Sequence, residues 1–178
     1  MAHIDSLSSG IFSYLDIFTD SATVTPASET AAGYATLFDT NTTDVDAADL
    51  KRMPSVREFP SIGTPANIVN VPVYGQNTSS QIQGQSDAPT LEVTVNYVAA
   101  DMDDFHTLVG QQVYFRFMMC ETATELSASN AGANASKNTS FYFKGKIEAI
   151  LVNPQLTDAT TATVTLSAQS DFFGPATV

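Results

Sequence analysis

A mainly β chain with one short helix is what this sequence predicts, and three observations carry the prediction. Residues 91–97, 141–152 and 160–168 alternate apolar and polar side chains with a period of two, which sends successive residues to opposite faces of a sheet. One stretch, residues 101–110, instead carries apolar residues at helical spacing between a start and a stop signal. Charged residues make up only 15% of the chain, so its polarity rests on Thr, Ser, Asn and Gln, which suit strands and turns better than helices. At 178 residues the chain is long enough for one sizeable core, and length alone gives no reason to divide it.

The first twenty residues hold Ile11, Phe12, Tyr14, Leu15, Ile17 and Phe18. This run is too dense in apolar groups for a free tail and needs cover from this molecule or the next. Residues 21–49, rich in Thr, Ala and Asp, read as irregular, with a strand over 33–38 and a helical turn over 47–52. Pro54, Pro60, Pro65 and Pro72 follow. Proline has no N–H to give a ladder, so residues 55–59 and 67–74 are expected as short edge strands, which invite pairing with another chain. Residues 76–85 are rich in Gln, Asn and Ser, with Ile82 the one apolar side chain, and read as an exposed loop or hairpin tip.

The organising stretch is residues 91–119. Leu91, Val93, Val95 and Tyr97 alternate with Glu92, Thr94 and Asn96, giving one apolar and one wet face. Asp101 is then the expected helix cap, with Asp103 and Asp104 in the positive first turn and Gly110 as the stop. Met102, Phe105, Leu108 and Val109 form the stripe that lies on the sheet. Residues 113–119, VYFRFMM, are apolar on both faces except at Arg116; a strand covered twice needs a second sheet or a neighbouring molecule.

Residues 121–138 contain a soft loop of small residues. In the long strand that follows, Phe141, Phe143, Ile147, Ala149 and Leu151 are expected on one face and Tyr142, Lys144, Lys146 and Glu148 on the other. Asn153-Pro154 ends it. Val164 and Leu166 then alternate against Thr163, Thr165 and Ser167, so the two strands make an antiparallel pair. The closing DFFGPATV again carries two adjacent aromatics where a free tail would not hold them.

Charge and motifs exclude several functions. The chain has 19 acids against 7 Lys and Arg, a net charge of -12, the wrong sign for a protein that gains affinity by neutralising phosphates. Cys120 stands alone, so no intrachain disulfide forms and a small core residue is expected. No apolar run is long enough to span a membrane, and the N-terminus lacks the pattern of a signal peptide. Asp101, Asp103 and Asp104 fit no calcium loop, and helix capping accounts for them without a metal. His106 with Asp103 lacks a nucleophile motif, Cys120 has none around it, and Gly145-Lys146 lacks the rest of a phosphate loop. Neither an enzyme nor a bound cofactor is expected.

Four segments, taken in order, carry a resemblance: YGQNTSSQIQGQSDAPTLEVTVNY from Tyr74, DDFHTLVGQQVYFRF from Asp103, FYFKGKIEAI from Phe141 and TATVTLSAQSDF from Thr161. Over residues 55–172 this order of strands, turns and short helix resembles the tail tube, or major tail, proteins of long non-contractile-tailed bacteriophages. The resemblance implies a β-sandwich or barrel with one short flanking helix. It implies hexameric rings stacked into a hollow tube that conducts double-stranded DNA, located in the virion after synthesis in the host cytoplasm. A tape measure protein, a tail terminator and tail tip proteins would be its partners. The domain plan is then an extension over residues 1–54, packed on the core or on a neighbour, and a tube domain over residues 55–178.

On that plan the polar strand faces line the channel, with Glu92, Thr94, Asn96, Thr163, Thr165 and Ser167 as wall residues. Ile11, Phe12, Tyr14, Gln76, Ile82 and Gln85 supply contacts between subunits or rings. Proline-flanked edges and apolar termini fit a subunit completed by its neighbours, since a ring can close sheet edges into a barrel. An acidic balance suits a conduit, because like charges keep DNA from sticking. The alternatives are the related tube protein of a bacterial secretion apparatus, a single-ring terminator or baseplate component, and an extracellular adhesin sandwich.

Overall fold

The computed structural model describes residues 12–19, 24–39, 46–63, 68–75, 77–84, 89–120, 123 and 139–177. β1 (Phe12–Phe18) leads to α1 (Ala31–Ala35), and two short strands follow, β2 (Leu50–Arg52) and β3 (Val56–Glu58). β4 (Ile68–Val71) and β5 (Ser80–Gln83) come next, and then β6 (Thr90–Asn96), α2 (Ala99–Thr107) and β7 (Gln112–Cys120). β8 (Thr139–Asn153), β9 (Thr161–Ala168) and β10 (Phe173–Thr177) complete the order.

The main sheet runs β2-β1-β7-β8-β9-β6-β3, with β10 added against the first part of β8; β4 and β5 form a separate two-stranded sheet. Every pairing between these strands is antiparallel. The sheet is a curled half-barrel carrying two helices, so the expected mainly β class is found, with α1 beside the expected helix. β1 and β2 belong to the same sheet as the strands beyond residue 55.

Two cores explain the two-sided apolar strand. On one face Leu15, Ile17, Val93, Val95, Phe115, Phe143, Val164 and Leu166 pack with Met102, Phe105 and Leu108 of α2. On the other, Phe18, Leu50, Tyr114 and Tyr142 pack with Tyr34, Leu37 and Phe38. β7 is therefore covered twice, as its sequence required, but the second cover is the chain's own segment around α1. Burying each such side chain contributes roughly 1.5–3 kcal/mol. Rings mesh here: Tyr34 meets Tyr114 edge-on at 5.7 Å and stacks on Phe173 at 4.9 Å.

Several local expectations are corrected. Residues 33–38 form α1 and a 3-10 turn, Thr36–Phe38, in place of a strand. The Thr30 hydroxyl accepts from the Gly33 N–H at 3.3 Å, and Tyr34, Leu37 and Phe38 sit three and four apart on the buried side, a helical spacing. Residues 47–52 divide into a 3-10 turn, Ala47–Asp49, and β2. Asp101 does not cap α2: the cap is Val98, without a side-chain bond, and Asp101 lies in the first turn. Gly110 does follow the helix, at φ +80°, a conformation glycine adopts without steric cost.

β8 switches faces at Glu148. Ile147 pairs with Leu166 and Ala149 with Thr165, so one extra residue is accommodated between them. Ala149 and Leu151 thereby leave the core face expected for them and join the polar one, while Ile150 packs on the first core. Such a bulge re-aims every side chain beyond it. Nearby, a Cβ on Gly145 would lie 2.4 Å from the Ser167 carbonyl oxygen, so this glycine serves a close crossing of β8 and β9.

Across three strands lies an ionic triad, buried at Asp16 and Arg116 and partly exposed at Arg52. The register sets Asp16 of β1 opposite Arg116 of β7 and Arg52 of β2. Asp16 is 0% and Arg116 1% exposed. Arg116 Nη2 donates to Asp16 Oδ2 at 2.7 Å and Arg52 Nε to Oδ1 at 2.7 Å. The guanidinium faces are covered too, Arg116 by the Phe38 ring at 4.8 Å and Arg52 by the Tyr14 ring at 3.9 Å.

Removing one member of a buried pair leaves the other charge uncompensated, so Asp16→Ala is expected to cost roughly 3–5 kcal/mol in denaturant unfolding. Lys51→Ala, which breaks the exposed pair with Asp104, should cost less than about 1 kcal/mol. A second prediction concerns alkali. Burial, and then the hydrogen bond that the Tyr34 hydroxyl donates to Glu29 at 3.0 Å, raise the Tyr34 pKa above its ordinary 10.0. The unfolded tyrosine ionises first, so this stabilisation is complete below about pH 10 and is lost as pH rises above it. Urea midpoints measured across that range should fall more steeply for the parent than for Tyr34→Phe.

Candidate channel face and assembly surfaces

The antiparallel register of β6 and β9 builds the polar face. Glu92 lies opposite Thr165, Thr94 opposite Thr163, Thr90 opposite Ser167 and Asn96 opposite Thr161. All six residues expected on a channel wall are thus brought onto one continuous surface, opposite the core face that carries α2. Glu92 is exposed; Thr94, Asn96, Thr163, Thr165 and Ser167 are half-buried. Their alternates Val93, Val95, Val164 and Leu166 fill the core, and a one-residue slip would exchange the two sets.

Neighbouring strands extend this face beyond what the periodicity indicated. Lys146 of β8 pairs with Ser167, and the Ser167 hydroxyl donates to the Glu148 carboxylate. Asn153 Nδ2 donates to Thr163 Oγ1 at 3.3 Å, and Leu151 stands beside Thr163. On the other flank the register shift in β3 brings Glu58 opposite Thr94. Alternation already puts Glu148 on the polar face of its strand with Lys146, whereas the placement of Glu58 depends on the register shift in β3, which no alternation pattern reveals.

The electrostatics of this face differ from those of the whole chain. Glu58, Glu92 and Glu148 are offset by Lys146 and by Lys144, which borders the layer around α1. Among the described residues this face is therefore rich in hydroxyls and close to neutral. Much of the excess acid lies elsewhere, including exposed Asp101, Asp103 and Asp104 on α2. The lysines do not pair with an acid among the described residues, whereas Lys51, Arg52, Arg57 and Arg116 each do.

Residues expected to contact other subunits are dispersed. Phe12 and Tyr14 are half-buried on β1, where they pair in register with Cys120 and Met118 of β7. Ile82 is 57% exposed on β5, opposite Val69. Ile11, Gln76 and Gln85 lie outside the described residues. The β4–β5 hairpin also exposes Ile68 and Tyr74, whose part the residue pattern did not indicate.

The remaining chemistry is sparse. The His106 ring meets Tyr97 edge-on at 6.4 Å. Asp104 is bound by Lys51 at 2.6 Å across a solvent-open cleft of about 350 Å³ between β2 and α2. Among the described residues no three His, Cys, Asp or Glu side chains are grouped to hold a metal ion, and no helix is long and apolar enough to cross a membrane. Cys120 is buried.

No family model matches the chain, and no curated protein matches it. Among solved structures the chain is similar to the SPP1 tail tube, determined by solid-state NMR and cryo-EM. The TM-score is 0.56 at 12% sequence identity, over 94% of this chain and 80% of that chain. At that identity the likeness is one of fold: the curled β half-barrel with its helices is a tail tube fold.

Proposed function

We propose that this chain is the structural subunit of a phage tail tube, closing into hexameric rings that stack into a hollow conduit for DNA during ejection. The observation that carries the reading is the fold shared with the SPP1 tail tube along nearly the whole chain. Two features of the subunit support it. The hairpin of β4 and β5 exposes Ile68, Val69 and Ile82, apolar side chains of the kind a neighbouring copy covers. The face built by β6, β9 and the end of β8 presents hydroxyls with few charges, a wall that neither traps phosphates nor repels them strongly.

In this reading Glu92, Thr94, Asn96, Thr163, Thr165 and Ser167 line the bore and α2 lies on the outer side. Ile82 on the hairpin, with Gln76 and Gln85 near it in sequence, and Phe12 and Tyr14 with Ile11 before them, contribute contacts between copies. The tube takes a tape measure protein, a terminator and a tip as partners, and it works in the virion without a cofactor and without catalysis.

Electron microscopy of the purified chain tests the reading, with six-fold rings or tubes of constant bore as the expected result. A chain that stays monomeric at high concentration would end it. Charge reversal tests the wall: Glu92→Lys replaces an anion with a cation on the face that also carries Lys146, so DNA delivery should slow at low ionic strength and recover as salt screens the attraction. Unchanged delivery at low salt would remove Glu92 from the bore.

A further inference from the structure

The β4–β5 hairpin is a two-stranded sheet apart from the main one, and an isolated hairpin of this kind is marginal in water. Its register places Val69, Val71 and Ile82 on one face, with Ile68 on the other. Ile68, Val69 and Ile82 are 55%, 48% and 57% exposed. No charged residue lies between Glu58 and Asp87, in a chain whose net charge is -12. A long neutral stretch with bare apolar groups is where two such acidic copies can meet without bringing carboxylates together.

A second surface of the same character lies at the end of β8. β7 pairs with β8 as far as Lys146, and Val109 and Gly110 meet it at Ile147. Beyond that point residues 149–153 are paired with β9 on one side and with no described strand on the other. Leu151 is 58% exposed, and Leu156 in the turn that follows is fully exposed. No charge lies between Glu148 and Asp158. The outermost strands of the sheet differ, since β2 carries Lys51 and Arg52 and β3 carries Arg57 and Glu58.

We propose that the β4–β5 hairpin of one copy adds to the edge of residues 149–153 that no described strand occupies in the next, setting its apolar side chains beside Leu151 and Leu156. That segment and the four-residue hairpin strands are of matching length, and strand addition gives backbone N–H and C=O groups of both a ladder partner. The two surfaces are distinct, so the contact is heterologous. Each copy gives a hairpin and receives one, and the contact propagates from subunit to subunit. The proposal rests on the reading that copies of this chain assemble, and it names the receptor that the hairpin occupies.

The experiment mixes purified full-length Val69→Cys with purified Leu151→Cys, adds a short bis-maleimide, and identifies cross-linked peptides by mass spectrometry. Cys120 is 0% exposed and remains unmodified. A peptide pair joining position 69 of one variant to position 151 of the other is the expected product. In parallel, Ile82→Asp and Leu151→Asp should each raise the concentration needed for assembly at least tenfold, with the unfolding midpoint of the dispersed chain unchanged. Assemblies that form without the 69–151 product, or that both aspartate variants leave intact, would overturn the receptor and leave the tube reading standing. A parent chain that sediments as a monomer at every concentration would overturn the tube reading beneath it.

Discussion

One carboxylate fixes how the first strand enters this sheet. Asp16 stands between Arg116 and Arg52 on the two neighbouring strands, fully out of water. The desolvation of Asp16 and Arg116 consumes much of the mutual attraction, and an apolar replacement of the same volume is often as stable. What the triad adds is selectivity of register. A slip of one residue would turn Asp16 into the α2 core, and a slip of two would leave the guanidinium of Arg116 without its partner. With β1 held, Phe18 reaches Phe38 and Tyr114, and the layer around α1 has a surface to sit on.

That layer divides the sheet's second face into two regions. Over β1, β7 and the first part of β8 it covers Tyr114, Tyr142 and Arg116 with Tyr34, Leu37 and Phe38. Over β9, β6 and the end of β8 it is absent, and the residues there are mostly Thr, Ser, Asn and Glu, with Lys146, Ala149 and Leu151 from β8. The chain thus closes by itself the half that could not face water. It leaves open the half whose side chains tolerate water, and the bulge at Glu148 marks the transition within a single strand.

Alternation made the wall legible. Residues 91–97 and 161–168 each obey a strict period of two, so Glu92, Thr94 and Asn96, and Thr163, Thr165 and Ser167, were assignable to faces before their pairing was known. The helix stripe was legible for Met102, Phe105 and Leu108, but Val109, expected with them, lies past the helix and is exposed. Other features were not, for physical reasons that differ. Tyr34, Thr36 and Phe38 alternate like a strand, and the helical spacing of Tyr34, Leu37 and Phe38 wins because all three find cover on one side. The α2 start was misplaced because an acid in the first turn satisfies the helix dipole whether or not it is the cap. The triad did leave a signal: Asp16 and Arg116 each interrupt an otherwise apolar strand, and lone opposite charges in two such strands point to each other.

Net charge sets the remaining constraint. Each copy carries -12, so any association must overcome a repulsion that grows with every subunit added. Asp101, Asp103 and Asp104 of α2 stand opposite the hydroxyl-rich face, so in the proposed tube they add no repulsion on the side of β6 and β9. In the proposed assembly, contacts drawn from the neutral stretches between Glu58 and Asp87 and between Glu148 and Asp158 keep it out of the joints. A uniformly spread charge would do neither, since carboxylates would face one another at every interface and the passing phosphates as well. On the proposed reading, the separation of neutral, apolar surface from acidic surface is what lets so acidic a chain serve as a building block.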